Sequence, residues 1–433
     1  MGRTPDARLI QRTSGGYQLN PVRSSRRAVI TGIGPISCIG IGKKSFWEGI
    51  LAEKSGIAEL TRFDLQGLEA RSAGQVDDFD PLNYFPAKML RRLDRYAQFA
   101  VASALLALED SGLSYSPESP DPRRGVSFGT ALGGISNAEK EHDAFVKGGF
   151  KAVSPLLALQ VFGGSAHSNI AITCGFQGIG TTNSNSCASG TVALGESLRY
   201  IREGIADVMV AGASEAPLSP LTYGAFANIR TMSEADPSVS CRPFDLKRDG
   251  FVMGEGAASL VVEEYEHAKA RGARIYAEVL GFSHNNDAYH MTSPHPNGEP
   301  TIRAMRDALA DARTNPEEID YINAHGSSTK VNDSNEAHCI HTIFGSRAAS
   351  LPVSATKAYT AHPLGATGAL EAVICCLVMT EGYLPPTLNY ETPDPECRLD
   401  VIPNKGREAR PLKILSNSFG FGGINSCLIL GNI

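Results

Sequence analysis

Eight short strand-like runs recur along the chain, most closing on glycine or another small residue, and helical patterns separate many of them. The runs are 28–32, 125–129, 207–212, 258–264, 319–324, 351–354, 412–416 and 426–430, and the clearest helical patterns cover 91–111, 187–203, 301–312 and 364–379. Alternation of this kind predicts a layered α/β architecture. The two halves look alike in outline, each with strand-rich punctuation, a long helix opened by small residues and a closing strand pair. No residue-by-residue repeat is visible. With 433 residues, 42% of them hydrophobic, the chain can bury the core of one large or two medium domains.

Charge and cysteine usage remove several classes. A net charge of -6, with no polybasic tail, argues against nucleic acid as the main partner. The nine cysteines follow no regular spacing, Cys375 and Cys376 are adjacent, and no C-x-x-C pair suggests structural zinc. The expectation is a reducing, cytoplasmic setting and no metal. Near the start, Arg3, Arg8, Arg12, Arg23, Arg26 and Arg27 face the single acid Asp6, so residues 1–26 read as an extension, flexible or loosely docked. Arg26 and Arg27 before Ala28-Val29-Ile30 mimic a twin-arginine signal, but Gly32, Gly34 and Pro35 interrupt any long apolar region. Asp6 breaks the myristoylation pattern. No run approaches the roughly 20 apolar residues of a membrane span, so no membrane partner is expected.

Three distant segments each carry one reactive group among small residues: Cys187 in Asn185-Ser186-Cys187-Ala188-Ser189-Gly190, His325 in Asn323-Ala324-His325-Gly326-Ser327, and His362 in Ala361-His362-Pro363-Leu364-Gly365. Turn residues over 178–186 lead into Cys187, and Val192, Leu194, Leu198 and Ile201 follow at near-helical spacing. Cys187 is thus expected at a helix N-terminus, where the dipole lowers a thiol pKa. His325 and His362 follow predicted strands, so all three belong where strand-end loops converge. A thiol is both a strong nucleophile and a good leaving group, and with two imidazoles it suits acyl groups carried as thioesters. The other cysteines default to small buried hydrophobes. His142, His167, His267, His284, His295, His338 and His341 read as surface or satisfied histidines, and the spacing of His338 and His341 finds no further metal ligand.

Taken in order, these motifs resemble those of the β-ketoacyl-[acyl-carrier-protein] synthases, elongating condensing enzymes of fatty acid and polyketide synthesis in the thiolase-like superfamily. The matching segments are 26–34, the Cys187 turn, Arg242-Pro243-Phe244-Asp245 with 249–256, Asp287-Ala288-Tyr289-His290-Met291-Thr292, 357–365, and Asn417-Ser418-Phe419-Gly420-Phe421-Gly422-Gly423. The resemblance implies a thiolase-like duplicated five-layer α-β-α-β-α fold. Its N-terminal half, 27–275, would hold the nucleophile, and its C-terminal half, 276–433, both histidines and a gating loop. It also implies a homodimer, or a heterodimer with a homologous chain-length subunit.

The resemblance further implies a decarboxylative Claisen condensation of an acyl thioester with malonyl-carrier protein, with no cofactor beyond the phosphopantetheine of the acyl carrier protein. Cys187 would carry the acyl group, backbone N–H groups of Cys187 and Phe419 would form an oxyanion hole, and His325 and His362 would donate to the enolate oxygen. Lys357 and Glu336 stand where the family places a lysine and an acid that organise the histidines, and because a buried lysine needs a partner the two are expected to pair. Leu132, Phe226, Thr292, Thr329, Phe419 and Phe421 fall at substrate-binding positions; Leu132 and Phe226 either line the acyl pocket or are ordinary core. The glycines after Phe419 read as a gate, since no Lys-Ser/Thr sequel supports a phosphate cradle. Lys88, Arg91, Arg92, Arg95 and Arg230 are candidates for docking an acidic carrier, or else a solvated charged face, with Arg91 and Arg95 on one helix face by spacing.

Some positions depart from the commonest family pattern: Ser327 replaces Thr, Ala361 replaces Gly, Pro363 follows His362, and Ser186 precedes the nucleophile where Ala is frequent. None removes a catalytic group. They leave a specialised polyketide synthase working with a chain-length-factor partner as the alternative to a fatty acid enzyme. A non-catalytic chain-length subunit would lack the nucleophile, and a thiolase would use a second cysteine in place of one histidine.

Overall fold

The computed structural model describes residues 10–13, 16–19, 26–65 and 67–433. Most of the extension expected over 1–26 therefore lies outside the described residues. Among the described residues, eleven strands follow one hydrogen-bonded path. In chain order they are β1 (Ala28–Ser37), β2 (Arg124–Gly129), β3 (Gly180–Asn183), β4 (Val208–Glu215), β5 (Gly256–Glu264), β6 (Ala277–Asn286), β7 (Tyr321–Asn323), β8 (Pro352–Ser354), β9 (Asp400–Val401), β10 (Lys413–Gly420) and β11 (Ile424–Gly431).

Their spatial order is β9-β8-β7-β10-β11-β6-β1-β5-β4-β2-β3. Cut between β6 and β1, the path gives two half-sheets built the same way. Outward from the cut, each runs first, last, fourth, second and third strand of its half, with β9 added at one edge. The pairing senses match as well: β1–β5 and β6–β11 are antiparallel, whereas β4–β2–β3 and β10–β7–β8 are parallel. Within the sheet, among the described residues, the two half-sheets pair at Ala277 opposite Ile30 and Glu278 opposite Val29. The duplication seen in outline in the sequence is thus explicit in strand order.

Helices complete the layers: α1 (Arg95–Ser111), α2 (Ser165–Cys174), α3 (Ser189–Arg202), α4 (Glu299–Ala312), α5 (Lys330–Phe344) and α6 (Thr367–Glu381). The equivalent helices α3 and α6 follow the third strand of their halves, pack on each other and contact strands of both half-sheets, while α1 with α2 and α4 with α5 cover the outer faces. This gives the five α-β-α-β-α layers. The two inner helices approach closely because Gly190 and Gly368 lack side chains: a Cβ on Gly190 would stand 2.5 Å from the Ala369 nitrogen, and one on Gly368 would collide with Thr191 and Ser418.

Two expectations about helices are corrected. The pattern over 91–111 breaks at Asp94, whose side chain accepts the Tyr96 N–H at 3.0 Å and caps α1. Arg91 ends a separate short helix, Ala87–Leu90, so Arg91 and Arg95 share no helix face. In addition, the helical run Leu364–Glu381, with a mean hydropathy of 1.5, is by length and composition apolar enough to cross a membrane, yet 89% of it is buried inside the protein. It is the central core helix, apolar all round because layers enclose it on every side.

Candidate active site

Strand ends and inner-helix starts converge on a cavity of about 300 Å³. Cys187 lies in a single 3₁₀ turn, Ser186–Ala188, that feeds directly into α3. His325 follows β7, and His362 precedes the turn Leu364–Ala366 that opens α6. All three side chains line the cavity. The imidazoles lie edge to face with ring centroids 5.6 Å apart. Every sequence-predicted substrate residue is also on the wall: Leu132 and Phe226, in one apolar cluster with Phe251 and Leu364, Phe419 and Phe421 on the glycine loop, and Thr292 and Thr329.

Backbone strain sits beside two of the reactive groups. Ser186, immediately before Cys187, has φ 47°, and Ala361, immediately before His362, has φ 59°. Both positions depart from the family pattern, and in both an L-residue holds a left-handed conformation that disfavours its Cβ.

The electrostatics of Cys187 differ from expectation. Burial pushes its thiol up to about 11; Lys357, the Phe421 N–H and its own N–H act in the opposite direction, and Glu215 adds to the rise. Enclosure by protein atoms outweighs a helix terminus, since a helix dipole is worth about 0.3–1 kcal/mol in ordinary surface settings. The backbone donors at the sulfur are those of Cys187 and Phe421. Phe419 stays in the ladder of β10, opposite Asn425 of β11. Of the two phenylalanines of the glycine loop, it is thus Phe421 whose N–H acts on the sulfur.

Both histidines are held neutral. Burial, reinforced by Lys357, keeps His325 and His362 well below the ordinary imidazole range, and His362 also disfavours charge on His325. Thr367 Oγ1 lies 2.7 Å from His362 Nδ1 and fixes that ring. Phe251 packs edge-on against His362 at 5.5 Å between centroids.

The expected Lys357–Glu336 pair does not form. Lys357 Nζ instead bonds Glu371 Oε1 at 2.6 Å and donates to the His325 carbonyl. Glu336 accepts the backbone N–H groups of His325 and Gly326 at 2.9 and 2.8 Å, and the Asn417 amide at 3.0 Å. Burial raises both glutamates to about 7, with Lys357 opposing the rise at Glu371. Glu336 thus shapes the His325 turn, and Lys357 ties that turn to α6. Sequence reasoning missed Glu371 because its only signal is its position one helix turn into α6, fourteen residues after Lys357. It also missed Asn417, although the matched segment contains it.

Of the basic residues, Lys88, Arg91, Arg92 and Arg230 are exposed. Arg95 is engaged elsewhere: with Arg62 it holds the buried Glu255, at 2.9 Å from Oε1, and it stacks over Phe99. Its guanidinium is thus committed to the fold. His290 is exposed, and its Nδ1 accepts the Thr292 N–H at 3.1 Å.

The fold and pocket define a class, a duplicated α/β layer protein with a buried thiol facing two neutral imidazoles. Comparison with known proteins narrows it. Residues 25–268 match the family model of the beta-ketoacyl synthase N-terminal domain, and residues 276–391 that of the C-terminal domain. The 3-oxoacyl-[acyl-carrier-protein] synthase 2 of Coxiella burnetii is 43% identical over 410 residues, covering 94% of this chain and 99% of the relative. The ishigamide ketosynthase/chain length factor is 36% identical with a TM-score of 0.88, covering 95% of this chain and all of that one. A type II polyketide ketosynthase bound to the hexaketide, in complex with its acyl-carrier protein, is 36% identical with a TM-score of 0.86, covering 94% and 100%. The chain belongs to the β-ketoacyl synthase family.

Proposed function

We infer that the protein is a 3-oxoacyl-[acyl-carrier-protein] synthase, condensing an acyl thioester with malonyl-carrier protein and losing carbon dioxide. The observation that carries this reading is the convergence of Cys187, His325 and His362 on one cavity whose lining includes large apolar side chains and the hydroxyl-bearing Thr292 and Thr329. The acyl chain lies against Leu132, Phe226 and Phe251, and the phosphopantetheine arm of the carrier passes Thr292 and Thr329. Cys187 sulfur attacks the thioester carbonyl, its proton leaves with the carrier thiol, and the N–H groups of Cys187 and Phe421 hold the oxyanion. Malonyl-carrier then enters. Its carbon–carboxylate bond breaks, and His325 and His362 donate to the enolate oxygen. The enolate carbon attacks the acyl carbonyl and the carbon–sulfur bond to Cys187 breaks, returning the thiolate to a site that Lys357 favours. Neutral imidazoles serve because the step needs donors and no proton transfer. No cofactor beyond the carrier's own arm is required.

Fatty acid elongation is the reading we favour, on the 43% identity to a 3-oxoacyl-[acyl-carrier-protein] synthase 2. The polyketide reading, with a chain-length-factor partner, rests on the 36% identical solved ketosynthases. Retention of the thiol and both histidines disfavours a non-catalytic subunit. We assign residues 27–275 and 276–433 as the two halves. Among the described residues β3 pairs on one side only, with β2, and Phe145, Val146, Phe150 and Leu159 are exposed. An open sheet edge and exposed apolar side chains support a dimer, with itself or a homologue. A cytoplasmic location follows from the carrier-bound substrates. Mixing the protein with an acylated carrier protein tests the reading: one acyl mass is expected on the Cys187 peptide, and label on another cysteine, or none, overturns it.

A further inference from the structure

Glu215 is the last residue of β4, only 1% exposed, and it has no place in the chemistry above. Its Oε1 takes donors from one short turn: the Thr130 hydroxyl, the Ala131 N–H at 2.5 Å and the Leu132 N–H at 3.3 Å. Its Oε2 has no partner among the described residues. Thr130 Oγ1 accepts the Gly133 N–H at 2.9 Å, so one carboxylate oxygen and one hydroxyl fix the whole turn. On the other side lies the segment after His362. A Cβ on Gly365 would stand 2.8 Å from the Ala131 nitrogen and 3.3 Å from Glu215 Oε1. The carboxylate is therefore wedged between two segments whose side chains, Ala131, Leu132 and Leu364, form the apolar wall of the cavity. The turn is also tied to the loop before Cys187, through Ser184 Oγ donating to the Ala131 carbonyl at 3.1 Å and the Thr130 N–H donating to the Asn183 carbonyl at 3.1 Å.

A buried carboxylate costs several kcal/mol of desolvation unless its neighbours compensate, so a hydrophobic wall is an expensive place to keep one for packing alone. Three converging donors on a single oxygen give it a geometric task. We propose that Glu215 is a positioning residue that fixes the Thr130–Leu132 turn and thereby sets which acyl chain lengths Cys187 accepts. This rests on the ketosynthase reading of the same pocket. Without the carboxylate, the turn loses its common anchor and Leu132 swings away from the wall; short acyl groups, which do not reach it, are affected less than long ones. Placement errors of about 1 Å already cost up to about 100-fold in rate, so a change of this kind is large enough to read.

The test measures acylation of Cys187 from carrier thioesters of graded chain length. Glu215→Ala is expected to change the long-to-short ratio of kcat/KM by about tenfold or more. Glu215→Gln keeps an oxygen acceptor in the same place and is expected to restore the wild-type ratio. Thr130→Val removes the shared hydroxyl, should shift the ratio in the same direction as Glu215→Ala, and decides the matter if Glu215→Ala does not fold. Parallel loss at all chain lengths in the folded variants overturns the proposal and leaves Glu215 a structural group. Failure of the wild-type protein to acylate Cys187 with any chain overturns the ketosynthase reading itself.

Discussion

Cys187 works against its own burial, and this sets how it should respond to pH. With its thiol raised to about 11, the free protein holds a neutral sulfur at pH 7. Alkylation by iodoacetamide should climb about tenfold per pH unit well past 9; a plateau near pH 8.5 would contradict the assigned environment. The histidines make a separable prediction. Changing either His325 or His362 to Ala should leave acylation of Cys187 detectable while slowing carbon dioxide release from malonyl-carrier by about 100-fold or more; near wild-type condensation in both variants would defeat the mechanism. The three reactive residues were legible because each sits among small or turn residues at the end of a periodic run. Their supports were legible only in part: Lys357 and Glu336 were named, but their partners were not. Lys357 finds Glu371 only after the chain has turned into α6, and Glu336 spends its charge on two backbone N–H groups, which no side-chain pattern records. The pairing has its own check. Lys357→Met strands Glu371 in the core and should cost about 3–5 kcal/mol in a denaturant titration, whereas Glu336→Gln leaves the Lys357–Glu371 pair in place and should retain more stability.

At the level of elements, period and punctuation located strands whose residues are apolar and β-branched, but three strands of the main sheet, β3, β6 and the two-residue β9, carried no such signal. β3 reads Gly-Thr-Thr-Asn, which looks like part of the turn before Cys187. β6 ends in Ser-His-Asn-Asn and contains Gly281, where a Cβ would stand 2.4 Å from the Ala312 nitrogen of α4. All three are strands because neighbours pair with them, a tertiary effect that local propensity does not contain. The crossing of α3 and α6 was equally invisible, since Gly190 and Gly368 look like ordinary small residues in the sequence. That crossing carries a prediction. Gly190→Ala forces a methyl against the backbone of Ala369 and should destabilise the protein by about 1–3 kcal/mol. Because α3 begins two residues after Cys187 and α6 five after His362, the same variant should acylate Cys187 more slowly. Unchanged melting and unchanged acylation together would mean that the helices separate without cost.

For the molecule as a whole, duplication explains why one site draws on both halves. Each half sends its third-strand helix to the centre, so the segments that open α3 and α6 meet there, with Cys187 from one half and His362 from the other. A carrier protein must reach this centre from outside, and the candidate docking residues run against the total charge. The molecule has a net charge of -6, yet Lys88, Arg91, Arg92 and Arg230 are exposed, and Arg230 adjoins Thr231 on the cavity wall. Long-range attraction to an acidic partner acts on encounter and is screened beyond roughly 8–10 Å at physiological salt. Replacing all four with Glu should therefore raise KM for the acyl carrier protein by about tenfold or more, and leave turnover of a free pantetheine thioester unchanged. Added salt should weaken the wild-type reaction with carrier and affect the variant much less. Arg95→Ala should behave differently. It removes one of two guanidinium partners of the buried Glu255, so its effect belongs in thermal stability and not in the KM for carrier. Equal loss with both substrates in the four-residue variant would show that these charges serve the fold and that the carrier docks elsewhere.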